Sequence, residues 1–140
     1  MTEVLASRSF RGLATEDAIE SVHNELESLW LDVPFVQDMD QMTFTTAVIE
    51  SASNIVQHAE PVGQDAVELG VDISVQPTLL QARVSAYHAK PPFGPMEPAS
   101  VGEDAESGRG LALIQVLVTT VTFERQDGTN TWVLSRTSQG

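Results

Sequence analysis

Three polar side chains that can bind a proton, a metal or a hydrogen-bonding ligand follow one another in ESASNIVQHA, residues 50–59. Glu50 is an acid, Asn54 an amide and His58 an imidazole, spaced four residues apart. In a helix, residues four apart lie above one another, so Glu50 and Asn54 face the same way and His58 lies a further turn along. The same spacing is typical of the solvated edge of an amphipathic helix. A second signal is therefore needed to distinguish a functional site from an ordinary helix surface.

That second signal is the stretch SGRGLALI, in which Gly108 and Gly110 flank Arg109 immediately before an apolar helical run. Helix N-termini present free amide groups and the positive end of the helix dipole, and glycine lets a phosphate approach the backbone closely. The pattern therefore indicates a phosphate-binding corner. An ordinary glycine-containing loop before a helix has the same letters, so this interpretation also depends on the rest of the chain.

The composition excludes several classes of partner and of site. The 140 residues carry 7 Lys and Arg against 20 Asp and Glu, a net charge of -13, which repels a nucleic-acid backbone and favours a basic protein partner. Solubility alone is an alternative explanation of the same negative charge. No apolar run is long enough to span a bilayer and the N-terminus lacks signal-peptide blocks, so we expect a soluble cytoplasmic protein without a membrane partner. The absence of cysteine excludes disulfides, zinc-thiolate sites and thiol nucleophiles.

Two helices in the first half of the chain must position the acid, the amide and the imidazole. Residues 4–10 predict a short edge strand, and Thr15 predicts the N-terminal cap of a first helix with apolar residues at helical spacing. A second helix begins at Asp38 or Asp40 and reaches about His58, where a proline and a glycine follow. The candidate stripe lies on this second helix.

Four strands complete the predicted architecture. Residues 67–75 and 80–86 alternate between apolar and polar around the turn QPT, which predicts an antiparallel hairpin. Two further strands flank the turn at Asp127-Gly128. A long proline-containing loop over residues 88–107 and then a helix separate the two hairpins. We expect one domain over residues 1–140, an α+β layer with its helices on one face of the sheet.

From Glu50 onward the chain resembles the GHKL superfamily of histidine kinase-like ATPases, and specifically the bacterial anti-sigma factor serine kinases of the RsbW and SpoIIAB type. ESASN with its trailing HA matches the N-box of that family, and ESGRGLALI is similar to its glycine-rich G2 box. The resemblance covers nearly the whole chain in the same element order. It implies the GHKL (Bergerat) ATP-binding fold, a two-layer α+β sandwich with a mixed, mostly antiparallel sheet and helices on one face.

The resemblance also implies a site for ATP and Mg²⁺, closed by a lid of roughly residues 96–107. Asn54 would hold Mg²⁺ through its amide oxygen, and Glu50 would orient or deprotonate the attacking hydroxyl. His58 has no assigned role in the family and is expected to be a structural histidine at the helix end. The residues that would surround the terminal phosphates are Gly108, Arg109 and Gly110.

Adenine recognition is where the chain departs from the family pattern. The family has an Asp, one further residue and a Gly between the strand and the lid, and that carboxylate accepts a hydrogen bond from the adenine amino group. Alignment on the prolines and Phe93 puts His88 in place of the Asp and Lys90 in place of the Gly. A neutral imidazole offers one acceptor nitrogen and an imidazolium none. Lys90 adds bulk near the base, although its charge attracts a nucleotide to an acidic protein.

Three functions stay open on the sequence. The first is an ATP-dependent protein serine/threonine kinase that phosphorylates an anti-sigma factor antagonist, sequesters a sigma factor and works as a homodimer. The second is a protein-binding module on the same fold with weak or no ATP binding. The third is an unrelated α+β protein with chance motifs. We expect the first because Glu50 and Asn54 are retained, and nucleotide affinity is the property that separates it from the second.

Overall fold

The computed structural model describes residues 3–92 and 117–138. The chain order of the elements in those residues is β1 (Ala6–Leu13), α1 (Glu16–Asp32), α2 (Asp38–His58), β2 (Glu68–Gln76), β3 (Leu79–Tyr87), β4 (Thr120–Gln126) and β5 (Thr129–Thr137). This order is the predicted one, although β1 starts and ends later than expected. The helix predicted after the glycine-rich motif lies outside the described residues.

The five described strands form one sheet in the order β1-β2-β3-β5-β4, and each of their four pairings is antiparallel. The apolar positions of the alternating strands share one face, as the register places Phe10 opposite Val71 and Val71 opposite Val84. Both described helices pack on that face. The predicted two-layer α+β sandwich with helices on one face is therefore confirmed, and β1 lies at a sheet edge as expected.

Helix α1 begins where its local sequence predicts and lies over the β1 edge of the sheet. The hydroxyl of Thr15 accepts a hydrogen bond from the backbone N–H of Ala18 at 3.3 Å, which satisfies one of the free donors of the first turn. Val22, Leu26 and Leu29 are fully buried on the face that the periodicity predicts. The position of α1 is thus set by its cap and by one apolar stripe.

Helix α2 lies over the centre of the sheet, against β2, β3 and β5. Phe44, Val48 and Ile55 are buried in the core beneath it. Its first half is also tied to α1, because Trp30 donates its indole N–H to the hydroxyl of Thr45 at 2.8 Å. The buried stripe and this tie fix the rotation of α2 about its own axis, and hence the direction in which its polar residues face.

The beginning of α2 is joined to the end of β5 by a buried ion pair. The guanidinium of Arg136 donates from Nε to Oδ1 of Asp40 at 2.9 Å and from an η nitrogen to the carbonyl of Leu117 at 2.9 Å. The hydroxyl of Ser138 donates to the other carboxylate oxygen of Asp40 at 3.4 Å. Asp40 is only 5% exposed, so these partners satisfy a carboxylate that water hardly reaches.

Helix α1 is acidic along its exposed side, whereas only Asp38 of the α2 acids is exposed. Helix α1 contains six Asp and Glu residues and α2 contains three, and neither contains a Lys or Arg. Neither of these described helices is long and apolar enough to cross a membrane. The outer surface of α1 is therefore a negatively charged layer over an apolar core.

The opposite face of the sheet is polar. Arg11 lies 3.6 Å above the centre of the Tyr87 ring and donates to the carboxylate of Glu68 at 2.9 Å. Tyr87 in turn lies against Gly70, where a Cβ atom would come within 2.6 Å of its ring. Glycine at position 70 is therefore needed for close approach of the tyrosine ring to the sheet.

Candidate functional site

The predicted stripe lies on the second half of α2, which ends at His58 as expected. Glu50, Asn54 and His58 are all half-buried. Ser53 and Val56, on the same half of α2, line the side that faces α1 instead. At about 3.6 residues per turn, Glu50, Asn54 and His58 fall on a different side of the helix from that pair. The three candidate residues thus share a stripe directed away from α1.

Asn54 carries a buried polar atom that nothing satisfies. Within residues 3–92 and 117–138, its Nδ2 atom is one of two buried side-chain nitrogens without a hydrogen-bond partner, the other being Nε1 of Trp132. An unpaired buried polar group costs about 1–3 kcal/mol of stability. A bound water, ion or ligand is one explanation for such a group in a native protein, and Asn54 is among the residues that the sequence predicts to contact a ligand.

The residues near Asn54 fit a magnesium ion that arrives with a nucleotide. A side-chain amide presents its oxygen or its nitrogen after a half-turn about its last torsion, and Mg²⁺ takes oxygen ligands from amides, carboxylates, water and phosphates. Among the described residues, no group of three or more His, Cys, Asp or Glu side chains is placed to hold a metal ion. An ion held by Asn54 would therefore take its remaining ligands from water and from the phosphates of the nucleotide.

The second part of the candidate site is the corner that follows β3, residues 88–90. His88 has a positive φ of 61°, in the left-handed region that non-glycine residues seldom adopt. The side chains of His88 and Lys90 are both exposed, while Ala89 between them is fully buried. The Lys90 ammonium lies 3.9 Å from the carboxylate of Glu60. The buried alanine thus anchors a tight turn that presents its two neighbours to solvent.

Two polar side chains of the β4–β5 hairpin hold this corner in place. Asn130, only 1% exposed, donates from Nδ2 to the Lys90 carbonyl at 2.8 Å, and its Oδ1 accepts from Arg125 at 2.6 Å. Arg125 also donates to the Ala89 carbonyl at 3.0 Å. The backbone N–H of Ala89 donates to the Gly128 carbonyl at 2.9 Å. The β4–β5 hairpin thus provides the donors for the carbonyls of Ala89 and Lys90.

The chain that leaves α2 joins the same corner from the other side. The backbone N–H of Val62 donates to the His88 carbonyl at 2.9 Å, and that of Lys90 donates to the Glu60 carbonyl at 2.8 Å. Glu60 is only two residues beyond His58, at the end of the candidate stripe. The structure therefore brings the end of the α2 stripe and the His88–Lys90 corner to one end of the molecule.

Three predicted site residues and the predicted lid are not covered by this geometry. Gly108, Arg109 and Gly110 lie outside the described residues, and so does the lid predicted over residues 96–107. Their roles in binding phosphate stay predictions from the sequence.

Asn130 and Arg125 were missed in the sequence analysis. Asn130 shares the core-facing side of β5 with Trp132 and Leu134, so it is a polar residue at an apolar position of an alternating strand. That exception to the alternation of β5 was the signal in the sequence that could have identified Asn130 as a functional or structural polar residue. Its partner, the Lys90 carbonyl, is 40 residues away in the chain, so the strand register was needed to identify it.

Comparisons with known proteins agree with this architecture. The family model of the histidine kinase-like ATPase domain matches residues 13–136. The chain is also similar to the crystal structure of the RsbU and RsbW domains of Rv1364c from Mycobacterium tuberculosis, with a TM-score of 0.69 and 18% identity. That match covers 96% of this chain and 33% of the other, so this chain spans about a third of its length, and at such identity it shows a shared fold alone. No curated protein matches the chain.

The family match runs from the end of β1 almost to the end of β5, and so includes both parts of the candidate site. It also agrees with the N-box and G2-box resemblance in the sequence. The chain belongs to the histidine kinase-like ATPase domain family.

Proposed function

We propose that this chain binds Mg·ATP beside the second half of α2 and acts as an anti-sigma factor serine/threonine kinase. In this function it sequesters a sigma factor and transfers phosphate to a serine of an antagonist protein. Membership in an ATPase-domain family implies nucleotide binding, generally with Mg²⁺. The kinase activity and the partners rest on the resemblance to RsbW-type proteins.

The observation that carries the proposal is the buried Nδ2 atom of Asn54, one helical turn after Glu50, which has no hydrogen-bond partner among the described residues. A polar atom left unsatisfied in the interior lowers stability, and a bound ligand that pairs with it recovers that loss. Glu50 is half-buried on the same stripe, within reach of a group bound at Asn54.

Each residue then has a defined task. Asn54 would hold Mg²⁺, which would offset the charge of the phosphate oxygens. Glu50 orients the serine hydroxyl of the antagonist and takes its proton as the hydroxyl oxygen attacks the γ-phosphorus. The bond from that phosphorus to the bridging oxygen breaks, and ADP leaves. The predicted phosphate contacts are the backbone amides of Gly108 and Gly110 and the guanidinium of Arg109.

Binding is tested by titrating the protein with Mg·ATP and following its thermal unfolding. A ligand that binds only the folded state adds about 2.7 kcal/mol at a concentration one hundred times its dissociation constant, so the melting temperature should rise with Mg·ATP. Mg·GTP is the matched control, because it carries the same phosphates on a different base. Transfer is tested with γ-labelled ATP and candidate antagonist proteins, with label expected on serine. A melting temperature that no Mg-nucleotide changes would contradict the proposal.

A second candidate function is favoured by the His88–Lys90 corner. An exposed imidazole and an exposed ammonium stand where the family has an acceptor carboxylate and a glycine, so the chain lacks the usual hydrogen-bond acceptor for adenine. On this alternative the chain is a degenerate GHKL module that binds its protein partners without using ATP. Partner binding that is identical with and without Mg·ATP, together with no transfer, would favour it.

The remaining parts of the proposal concern the protein's setting. We propose cytoplasmic action, because sigma factors and their antagonists work there, and a homodimer, because RsbW-type proteins typically pair. Light scattering of the purified protein tests the dimer. Nucleic acid is not a proposed partner, because the net charge of -13 opposes it.

A further inference from the structure

A groove lies between α1 and α2. It has a volume of about 680 Å³ and an apolar floor that includes Ile19 and Val56. Glu16 and Glu20 line its α1 wall, and Gln57 lines its α2 wall. The Glu50–Asn54–His58 stripe is not part of it, so the groove is separate from the candidate nucleotide site.

Two exposed apolar residues lie beyond the groove, on the same sides of the two helices and toward the α1–α2 connection. They run antiparallel, since Trp30 near the end of α1 bonds to Thr45 in the first half of α2. Leu31 stands four residues after Glu27 on the α1 wall, and Met42 stands three turns before Ser53 on the α2 wall. Leu31 is 82% exposed and Met42 is 63% exposed. Two exposed apolar side chains therefore extend the line of the groove walls toward the α1–α2 connection.

The charge of this surface has one sign. No Lys or Arg occurs between Arg11 and Arg83, and four acids of α1 line the groove, namely Glu16, Asp17, Glu20 and Glu27. A second copy of this chain would bring the same acids to the groove and be repelled. Nucleic acid and anionic lipid are disfavoured for the same reason.

We propose that the α1–α2 groove binds a positively charged amphipathic helix of a partner protein. The apolar side of that helix packs on the floor and on the exposed Leu31 and Met42, while its Lys and Arg residues face the acids of the α1 wall. From Glu16 to Leu31 the wall is about 22 Å long, which matches about four turns of a docked helix. The inference does not depend on nucleotide binding.

The probe is a synthetic peptide of about four helical turns, with Leu on one face and Lys on the other, measured by calorimetry at about 150 mM salt. Its control is a scrambled peptide of identical composition. We expect the amphipathic peptide to bind at least about tenfold more tightly than the scrambled one, because only its apolar groups are aligned with the groove.

Charge-reversal variants locate the site. Glu20→Lys with Glu27→Lys should weaken binding by about tenfold or more, and Gln57→Arg on the opposite wall should weaken it by a smaller factor. The matched control, Glu3→Lys with Asp65→Lys, changes the net charge equally at exposed residues outside the groove. It should change the affinity by less than about twofold, because charges beyond a Debye length are screened.

Several outcomes would overturn the proposal. Equal weakening by the groove pair and the control pair would mean that the peptide responds to total charge alone. Equal affinity for the scrambled peptide would mean that the groove does not select an amphipathic helix. A protein dimer that dissociates only in the Glu20→Lys, Glu27→Lys variant, as measured by light scattering, would assign the groove to a second copy of the chain.

Discussion

The two halves of α2 differ in whether their buried polar groups have hydrogen-bond partners. In the first half, the Asp40 carboxylate is 5% exposed and is paired with Arg136 and Ser138. In the second half, the buried Nδ2 atom of Asn54 has no partner among the described residues. The buried carboxylate of the first half is thus satisfied by partners within the protein. The buried amide nitrogen of the second half is left for a ligand to pair with.

This difference separates two uses of a polar residue inside a protein. A satisfied buried ion pair is sensitive to removal of one partner, because the other charge is then left uncompensated. An unsatisfied amide contributes nothing that its removal would lose in the free protein. Mutations in the two halves should therefore change different measurements, and the predictions below use that contrast.

The largest effect on stability is expected from Arg136→Leu, which leaves the Asp40 carboxylate without its main partner. Breaking a buried pair costs about 3–5 kcal/mol, and we expect about 3 kcal/mol because the Arg136 side chain is 23% exposed. Urea unfolding measures it. The control is Arg83→Leu, whose partner Glu124 is 57% exposed, so that variant should lose less than about 1 kcal/mol. Equal losses in the two variants would show that the Asp40 pair is not a structural joint.

Glu50→Ala should nearly abolish phosphate transfer while leaving the fold and partner binding largely unchanged. Positioned proton transfer contributes about 10²–10⁴-fold to a rate, and the half-buried Glu50 makes no ion pair among the described residues. Transfer from labelled ATP and calorimetric binding of the antagonist measure the two properties separately. A variant that transfers phosphate at the wild-type rate would remove Glu50 from the proposed mechanism.

His88→Asp combined with Lys90→Gly should tighten Mg·ATP binding by about ten- to hundredfold. A hydrogen bond to a charged group is worth about 1.5–3 kcal/mol against about 0.5–1.5 for a neutral one, and the difference corresponds to such a factor. Asn130 and Arg125 hold the backbone of this corner, so the two side chains can change without moving it. Calorimetry measures the affinity, with His88→Asp alone as the partial variant. No gain in the double variant would mean that other groups read the base.

The smallest effect on the free protein is expected from Asn54→Leu, which keeps the side-chain shape and removes the unpartnered nitrogen. Its free energy of unfolding should stay within about 1 kcal/mol of the wild type or rise, because the Nδ2 atom donates no hydrogen bond to the described residues. The stabilisation by Mg·ATP should fall sharply in the same variant. Urea unfolding with and without Mg·ATP gives both values. A large loss without nucleotide, comparable with that of Arg136→Leu, would erase the contrast between the two halves of α2.

Local features of the sequence predicted most of the fold. The Thr15 cap, the apolar period of the helices and the Asp127-Gly128 turn each act within a few residues, so they are visible without knowledge of the tertiary structure. The turn has φ values of 55° at Asp127 and 77° at Gly128, as a two-residue hairpin turn requires. The common stripe of Glu50, Asn54 and His58 on α2 was also predicted, because a helical stripe is a local pattern, whereas their roles stay predictions.

Long-range polar contacts were not predictable in the same way. Arg136 and Asp40 are 96 residues apart, and Asn130 and Lys90 are 40 residues apart. Which residues meet at such separations depends on strand order and register, and a shift of one residue would turn each side chain to the other face of the sheet. The supports of the candidate site therefore became visible only once the sheet was assembled.

The position of β1 has a consequence for how the protein folds. Ala6 pairs with Val75 and Leu13 with Glu68, so both helices lie between the two halves of this pairing in the chain. The β2–β3 and β4–β5 hairpins close over short turns, whereas β1 must wait for the long loop through both helices to close, at a greater entropic cost. We therefore expect β1 to join after the β2–β3 hairpin has formed, and until then the free edge of β2 is open to pairing with other chains.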